Sequence, residues 1–312
     1  MKLLNAYYDT RFAPVTFDFA TFLVVAEAYR QKGNFYGLAV NIITSDFRNM
    51  THRETAYSRG VKEWRSRHIL LGAATLLPSV LSVEFSRLNP TTIQFPSFPA
   101  TYPPRTKEEA KRCIPYLYKD LMPFRGSSLE LRPFRAREQA VAYVKSLFKI
   151  EEKPLFTITL RTSNQQVERN SDLRRWDLLR RELESAGARV LVIPDFEDLS
   201  SDQAALDFDW ETAKEVCFDM DLRLGLYSLA RMNYCVLNGV VVPLLHSPYP
   251  VAVFKPVVPT VHQTTEAWLK NIFGVSAGEN FWWFGEGQSL NWISDTDNDF
   301  LSSAISNSGL FN

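Results

Sequence analysis

The chain is poor in cysteine, lacks long apolar runs and has no excess of either charge, and each shortage removes a class of protein. Its three cysteines, Cys113, Cys217 and Cys235, are scattered over 312 residues. That is no disulfide framework, and no CxxC or Cys/His spacing suits a structural zinc. All three are expected to be reduced and buried. No apolar run reaches the roughly 18 residues of a membrane-spanning helix. The opening MKLLNAYYDTR interrupts its short apolar stretch with Asn5 and Asp9, unlike a signal peptide. The expectation is a soluble, cytoplasmic protein. Lys plus Arg and Asp plus Glu balance at 35 each, which argues against a broad nucleic-acid-binding face but permits a local basic pocket. Also missing are G-x-G-x-x-G, a Walker A sequence, a G-x-S-x-G elbow and H-E-x-x-H. Their absence weakens the dehydrogenase, P-loop, hydrolase and zinc-protease readings together.

What is present is enough apolar material for a large core, at 46% hydrophobic residues, over a length that suits two domains. No period of 20–50 residues marks a solenoid; the repeating pattern is strand, loop, helix, strand. Leu3 to Tyr8 reads as a strand ending at Asp9, followed by a helix starting at Asp18 with Phe19, Phe22, Leu23 and Ala26 on one face and Gly33 as its stop. Leu38 to Ile43 completes a βαβ unit. Thr51 to Leu77 is helical in pattern. Asn89 to Arg105 holds five prolines and forbids regular helix. A helix over 135–148 and a hinge at Lys149 to Pro154 lead into the second half. There Leu155–Leu160, Arg189–Ile193, Tyr234–Leu237 and Val251–Phe254 read as buried strands, and helices carry Leu173 to Ala186 and Asp221 to Arg231. The expectation is an α/β protein of two Rossmann-like domains, 1–150 and 151–312, with parallel sheets facing a central cleft.

Ligands of such sheets bind beyond the carboxyl ends of the strands, and three places in the second half fit. Arg161, with Thr162 and Ser163, follows the first strand; its planar guanidinium matches a phosphate. A helix beginning near Ser171 would add free N–H groups, with Arg169 and Asn170 as further members of the cradle. The bland alternative is that Arg161 pairs with a neighbouring carboxylate. Asp195 ends the next strand, where it could accept from a ribose hydroxyl or simply order a turn. Asn238–Gly239 could take a positive φ beside a ligand or form an ordinary turn.

In the first half, Asp9 could take a proton from an acceptor hydroxyl or order its loop, with Arg11 nearby. His246 could act on the acceptor side or sit in a loop; His68 reads as a packed core histidine. Phe281 to Phe284, with Trp282 and Trp283 between them, could stack on a sugar or plug an interdomain seam. Asp219-Met220-Asp221 resembles a D-x-D metal motif but sits at a helix start, where it reads as capping. No metal site is expected.

On these residues the second half, about 154–256, resembles the donor domain of GT-B glycosyltransferases, most closely the fucosyltransferase-like group. That group's His-x-Arg motif corresponds to Thr159-Leu160-Arg161, with the arginine kept and the histidine replaced. Val190 to Asp195 and Leu237-Asn238-Gly239 look similar to its later landmarks. The resemblance implies a metal-independent transfer of a sugar from a nucleotide diphosphate donor to an acceptor hydroxyl. The nucleotide sugar is then a co-substrate, and no cofactor is implied. A GT-B-type nucleotide-sugar epimerase and a non-catalytic two-domain binding or scaffold protein remain the alternatives. The first half resembles no placeable acceptor domain.

Overall fold

The computed structural model describes residues 2–44, 57–87, 96–100, 102, 114–151, 153–195 and 208–310. The start of the expected helix from Thr51, much of the proline-rich segment from Asn89 to Arg105, and Cys113 lie outside the described residues. The chain divides into two compact units, Met1–Arg135 and Ala136–Asn312.

The first unit carries a four-stranded parallel sheet, β1 (Leu3–Asp9), β2 (Gly37–Ile43), β3 (Val80–Ser86) and β4 (Ser97–Phe98), in the order β3-β2-β1-β4. This is the strand order of a Rossmann half. Leu4, Ala6 and Tyr8 alternate onto one face with Leu38, Val40 and Ile42, all buried. The helix Asp18–Lys32 follows β1, and every residue from Phe19 to Ala28 is buried. It is therefore a core helix buried on all sides over this stretch, polar Thr21 and Glu27 included, rather than one burying only the face expected from the sequence. Tyr8 locks it in place, with ring centroids 4.7 Å from Phe19 and 5.0 Å from Phe22.

The second unit carries a five-stranded parallel sheet, β5 (Leu155–Thr159), β6 (Arg189–Ile193), β7 (Met232–Val236), β8 (Val251–Phe254) and β9 (Gln288–Leu290), in the order β6-β5-β7-β8-β9. Both units are thus Rossmann-like, as the alternation of strands and helices predicted. β5 is buried at every position, as a strand covered on both faces must be. On one face Phe156 and Ile158 join Trp176, Leu179 and Leu183 of the helix Leu173–Ser185, and Phe300 and Ala304 of the helix Phe300–Ser308. Trp176 meets Phe300 edge-on at 4.8 Å.

The other face of β5 is polar but satisfied. Thr157 donates to Asn233 (2.6 Å), Asn233 donates to the Tyr227 carbonyl (3.0 Å), and the Thr159 hydroxyl lies 2.8 Å from that of Tyr227. Tyr227 belongs to the helix Met220–Leu229. The helix Glu138–Leu147, assigned to the first half from sequence, packs against Met220–Leu229 in the second unit. Gly225 permits the approach: a Cβ there would sit 3.2 Å from the Ala140 carbonyl carbon and 3.3 Å from the Val141 nitrogen. Arg137 and Asp221 add an ion pair at 2.5 Å.

Cys217 and Cys235 are free thiols. Cys235 is buried as expected, and burial pushes its thiol pKa up, while Cys217 is only half-buried.

Gly225→Val should wedge the two helices apart and destabilise the chain by about 1–3 kcal/mol, the usual penalty for overpacking. Urea unfolding followed by far-UV circular dichroism measures it; an unchanged midpoint would show that the contact is not close.

Candidate functional site at the carboxyl edge of the second sheet

In the second sheet the chain passes from β5 to β6 on one side and returns to β7 on the other. β5 and β7 therefore flank a topological switch point, where open α/β sheets bind their ligands. The residues just beyond the strands share one edge: Arg161 after β5, Asp195 after β6, Leu237 and Asn238 after β7, and Lys255 after β8.

Arg161 is only 8% exposed. Its N–H donates to the Ser171 hydroxyl (3.0 Å), and the Ser171 N–H returns a bond to its carbonyl (2.8 Å), clasping the two ends of the loop between them. The guanidinium donates into that loop, to the Gln166 carbonyl (3.1 Å), to the Gln165 carbonyl and to the Asn170 side-chain oxygen. Arg169 donates to the Gln166 side-chain oxygen and to the Leu237 carbonyl, both at 2.9 Å. Asn170 donates to the Ser163 carbonyl (2.9 Å), and the Ser163 hydroxyl accepts from the Gln165 N–H (3.1 Å). The Thr162 N–H donates to Asp195 at 3.2 Å. The sequence-predicted residues Arg161, Thr162, Ser163, Arg169, Asn170, Ser171 and Asp195 are thus one hydrogen-bonded cluster.

The helix beyond this loop starts at Leu173, close to Ser171 as expected, but Ser171 is not its cap. Asp172 caps it, accepting from the N–H groups of Arg174 (3.1 Å) and Arg175 (3.2 Å). Asp295 in turn accepts the Asp172 N–H at 2.8 Å and the Trp176 indole N–H at 2.9 Å. The sequence offers Ser and Asp side by side, and the carboxylate takes the cap because it answers the positive end of the helix more strongly. The N–H groups expected to face an anion are therefore engaged by carboxylates.

Lys255 gave no signal in the sequence beyond a basic residue between a strand and Pro256. Its backbone is left-handed at φ 52°. Its ammonium reaches the Asn170 carbonyl (2.6 Å) and the buried Asp295 carboxylate (3.1 Å). Three cations, Arg161, Arg169 and Lys255, consequently converge on the segment between Gln165 and Asn170.

Beside them lies an open groove of about 440 Å³. Asn164, Gln166 and Glu168 line one side and Thr260, His262 and Gln263 the other, with Val167 and Val261 as apolar walls. The Gln166 amide N–H crosses it to the Gln263 side-chain oxygen at 3.0 Å. Since β7 lies between β5 and β8 in the sheet, the groove borders its carboxyl end. Among the described residues no cluster of three or more His, Cys, Asp or Glu side chains is placed to hold a metal.

The remaining candidates have other surroundings. Asn238 is extended, at φ −145°, and caps the turn Gly239–Val241 by accepting from the Val241 N–H at 3.3 Å. Gly239 is not left-handed, so the positive φ anticipated there is not used. His246, expected on the acceptor side or in a loop, is fully buried in the second unit and stacks on Trp283 at 5.0 Å. Phe281 joins this stack, 4.7 Å from Trp283 and 5.1 Å from Phe273. Asp219 caps its helix by accepting from Asp221 and Leu222, the capping reading of that sequence. Thr159, which stands where the resembled motif has histidine, is bonded under the sheet to Tyr227 and does not reach the edge. His68 is exposed on a π-helical turn, Ser66–Leu71, and lies over Trp64 at 4.5 Å; it is not a core residue.

In the first unit Asp9 is completely buried at the end of β1. Arg11 donates to it from its backbone N–H (3.0 Å) and, bidentately, from its guanidinium, and the Tyr102 hydroxyl donates at 2.9 Å. Those hydrogen bonds raise the Arg11 pKa, while burial first and the Asp9 charge second push the Tyr102 phenol up. Tyr102 stacks on Tyr7 at 4.9 Å. A carboxylate so engaged orders its loop, and its lone pairs are already committed.

The chain's class is therefore an α/β protein of two Rossmann-like units with a basic, hydrogen-bonded cluster at the carboxyl edge of the second sheet. No protein-family model matches it, and no curated protein does. Among solved structures it is similar to E. coli ADP-heptose lps heptosyltransferase II, at 11% identity and a TM-score of 0.47, over 100% of this chain and 99% of that one. It is also similar to a glycosyl transferase of family 9 from Veillonella parvula DSM 2008, at 8% identity and 0.45, over 98% and 89%. A third is E. coli heptosyltransferase WaaC with ADP-2-deoxy-2-fluoro heptose, at 10% and 0.41, over 97% and 98%. At this level the likeness decides neither fold nor chemistry, which rest on the chain's own sheets and side chains.

Asp9→Ala should lower stability by about 2–3 kcal/mol, because it strips a buried hydroxyl and a guanidinium of their acceptor. Thermal unfolding measures this, and a melting temperature equal to wild type would show that Asp9 is not the loop's anchor.

Proposed function

We propose that the second unit binds the diphosphate of a nucleotide sugar and that the chain transfers the sugar to an acceptor hydroxyl, without a metal. The observation that carries this reading is the convergence of Arg161, Arg169 and Lys255 at the carboxyl ends of the strands, next to a polar groove. The bonds these side chains make within the loop go largely to neutral carbonyl and amide oxygens. Phosphate oxygens are stronger acceptors for a guanidinium, in paired, parallel geometry.

In the proposed reaction the acceptor oxygen bonds to the anomeric carbon as the bond to the diphosphate breaks. The departing oxygen takes the electron pair, and the arginines stabilise the charge that develops there. The groove, lined by three amides, one hydroxyl, one imidazole and one carboxylate with valine walls, suits the uncharged hydrogen-bonding parts of such a donor. Whether the donor belongs to the fucosyltransferase-like group or another, the acceptor and the base that takes its proton are part of this proposal to be found by experiment.

One observation favours a second reading, a binding protein that keeps the fold without turnover. Asp9, the carboxylate placed for the base, is held by Arg11 and Tyr102. An epimerase is separated from both by consuming donor in the absence of any acceptor.

The test is thermal shift with GDP, UDP, ADP, dTDP and CMP derivatives. A ligand at 100 times its dissociation constant adds about 2.7 kcal/mol of stability. One of these should raise the melting temperature, and the Arg169→Ala and Lys255→Met variants should lose that shift while keeping their circular dichroism spectra. No shift with any of them would remove the proposal; a shift without turnover over a broad acceptor panel would select the second reading.

A further inference from the structure

One residue holds both arginines of the proposed diphosphate site. Gln166 accepts from Arg161 with its backbone carbonyl (3.1 Å) and from Arg169 with its side-chain oxygen (2.9 Å), and spans the groove to Gln263 with its amide N–H (3.0 Å). Its backbone is left-handed, at φ 53° and ψ 59°. A non-glycine residue keeps that conformation only where its surroundings hold it. Here the holding groups are the two guanidiniums and the glutamine across the groove. The two arginine bonds lie within the loop and occupy groups a phosphate would take, while the bond to Gln263 runs to the next loop, so Gln166 ties the guanidiniums to the closure of the groove.

We infer that Gln166 is a latch displaced by ligand: it closes the loop between Arg161 and Ser171 across the groove, and a pyrophosphate opens the groove by taking both guanidinium groups from it. This rests on the diphosphate reading above. It adds that the unliganded chain is mostly in a closed form, so the measured affinity is the intrinsic affinity reduced by the small open fraction. Gln166 is then a positioning residue. Its removal raises affinity, where loss of a merely structural residue would lower it.

Gln166→Gly is the direct test, because glycine accepts the left-handed backbone without strain while lacking the side-chain bonds. Gln166→Asn is its companion: asparagine also tolerates this conformation, but its shorter side chain does not reach Gln263. Inorganic pyrophosphate is the probe, titrated by calorimetry, with amide hydrogen exchange over residues 162–170 of the unliganded chain as the second reading. Gln166→Gly should bind pyrophosphate about tenfold more tightly, the effect of two hydrogen bonds no longer to be broken. Gln166→Asn should gain less, and both should exchange faster than wild type in the loop. If wild type binds pyrophosphate or a nucleotide diphosphate but neither variant binds more tightly, the latch is wrong and the diphosphate site stands. If wild type binds nothing and Gln166→Gly binds pyrophosphate, the latch is established. Should neither protein bind pyrophosphate or a nucleotide diphosphate, the latch and the diphosphate site fall together.

Discussion

The carboxyl edge of the second sheet depends on a guanidinium turned back into its own loop. Arg161 leaves β5 in a position where a short chain could wander, and its donors instead gather the Gln165 and Gln166 carbonyls and the Asn170 amide around themselves. With the Ser171 clasp closing the loop's ends, that single side chain sets where Arg169 points, and hence which carbonyl of β7's exit it meets. Lys255 ties the far end of the same loop to Asp295, and Asp295 fixes the start of the next helix through Asp172 and Trp176. The edge is thus one cooperative network, in which each member's orientation is inherited from its neighbour.

Much of the framework was legible in the sequence, for a simple reason. Strands buried on both faces, such as β6 and β8, appear as short apolar runs bounded by polar residues, and the helix Leu173–Ser185 shows its leucines at helical spacing. β3 was missed because it leaves Leu81 52% and Phe85 42% exposed and so carries no clear buried face. β4 and β9, at two and three residues, are too short for any period to register. The helix Asp18–Lys32 was found, but its all-round burial was not, since polar Thr21 and Glu27 are buried among its apolar residues.

The site divides along a similar line. Arg161 and Asp195 were candidates because strand ends are marked in the sequence, and Arg169 and Asn170 because a helix start follows them. Their bonding was not legible, because adjacent Ser and Asp both make sound caps and the bond that occupies the Ser171 hydroxyl comes from Arg161, ten residues back. Gln166 and Lys255 depend on contacts 97 and 85 residues away. No local pattern encodes a partner at that distance. The same holds for Asp9, whose companion Tyr102 is 93 residues along the chain.

The polar thread on the hidden face of β5 has a consequence for how this half assembles. Thr157, Asn233 and the Tyr227 backbone are matched to each other at one alignment of β5 on β7, with Thr157 opposite Asn233. Sliding either strand by one position would turn its hydrogen-bonding groups toward Trp176 and Phe254, among side chains that offer no partner. Misaligned pairings are therefore penalised twice, once in lost burial and again in stranded dipoles. The half carries an internal proofreader, which admits a single alignment of its two central strands and leaves the ligand edge no choice of where its residues emerge.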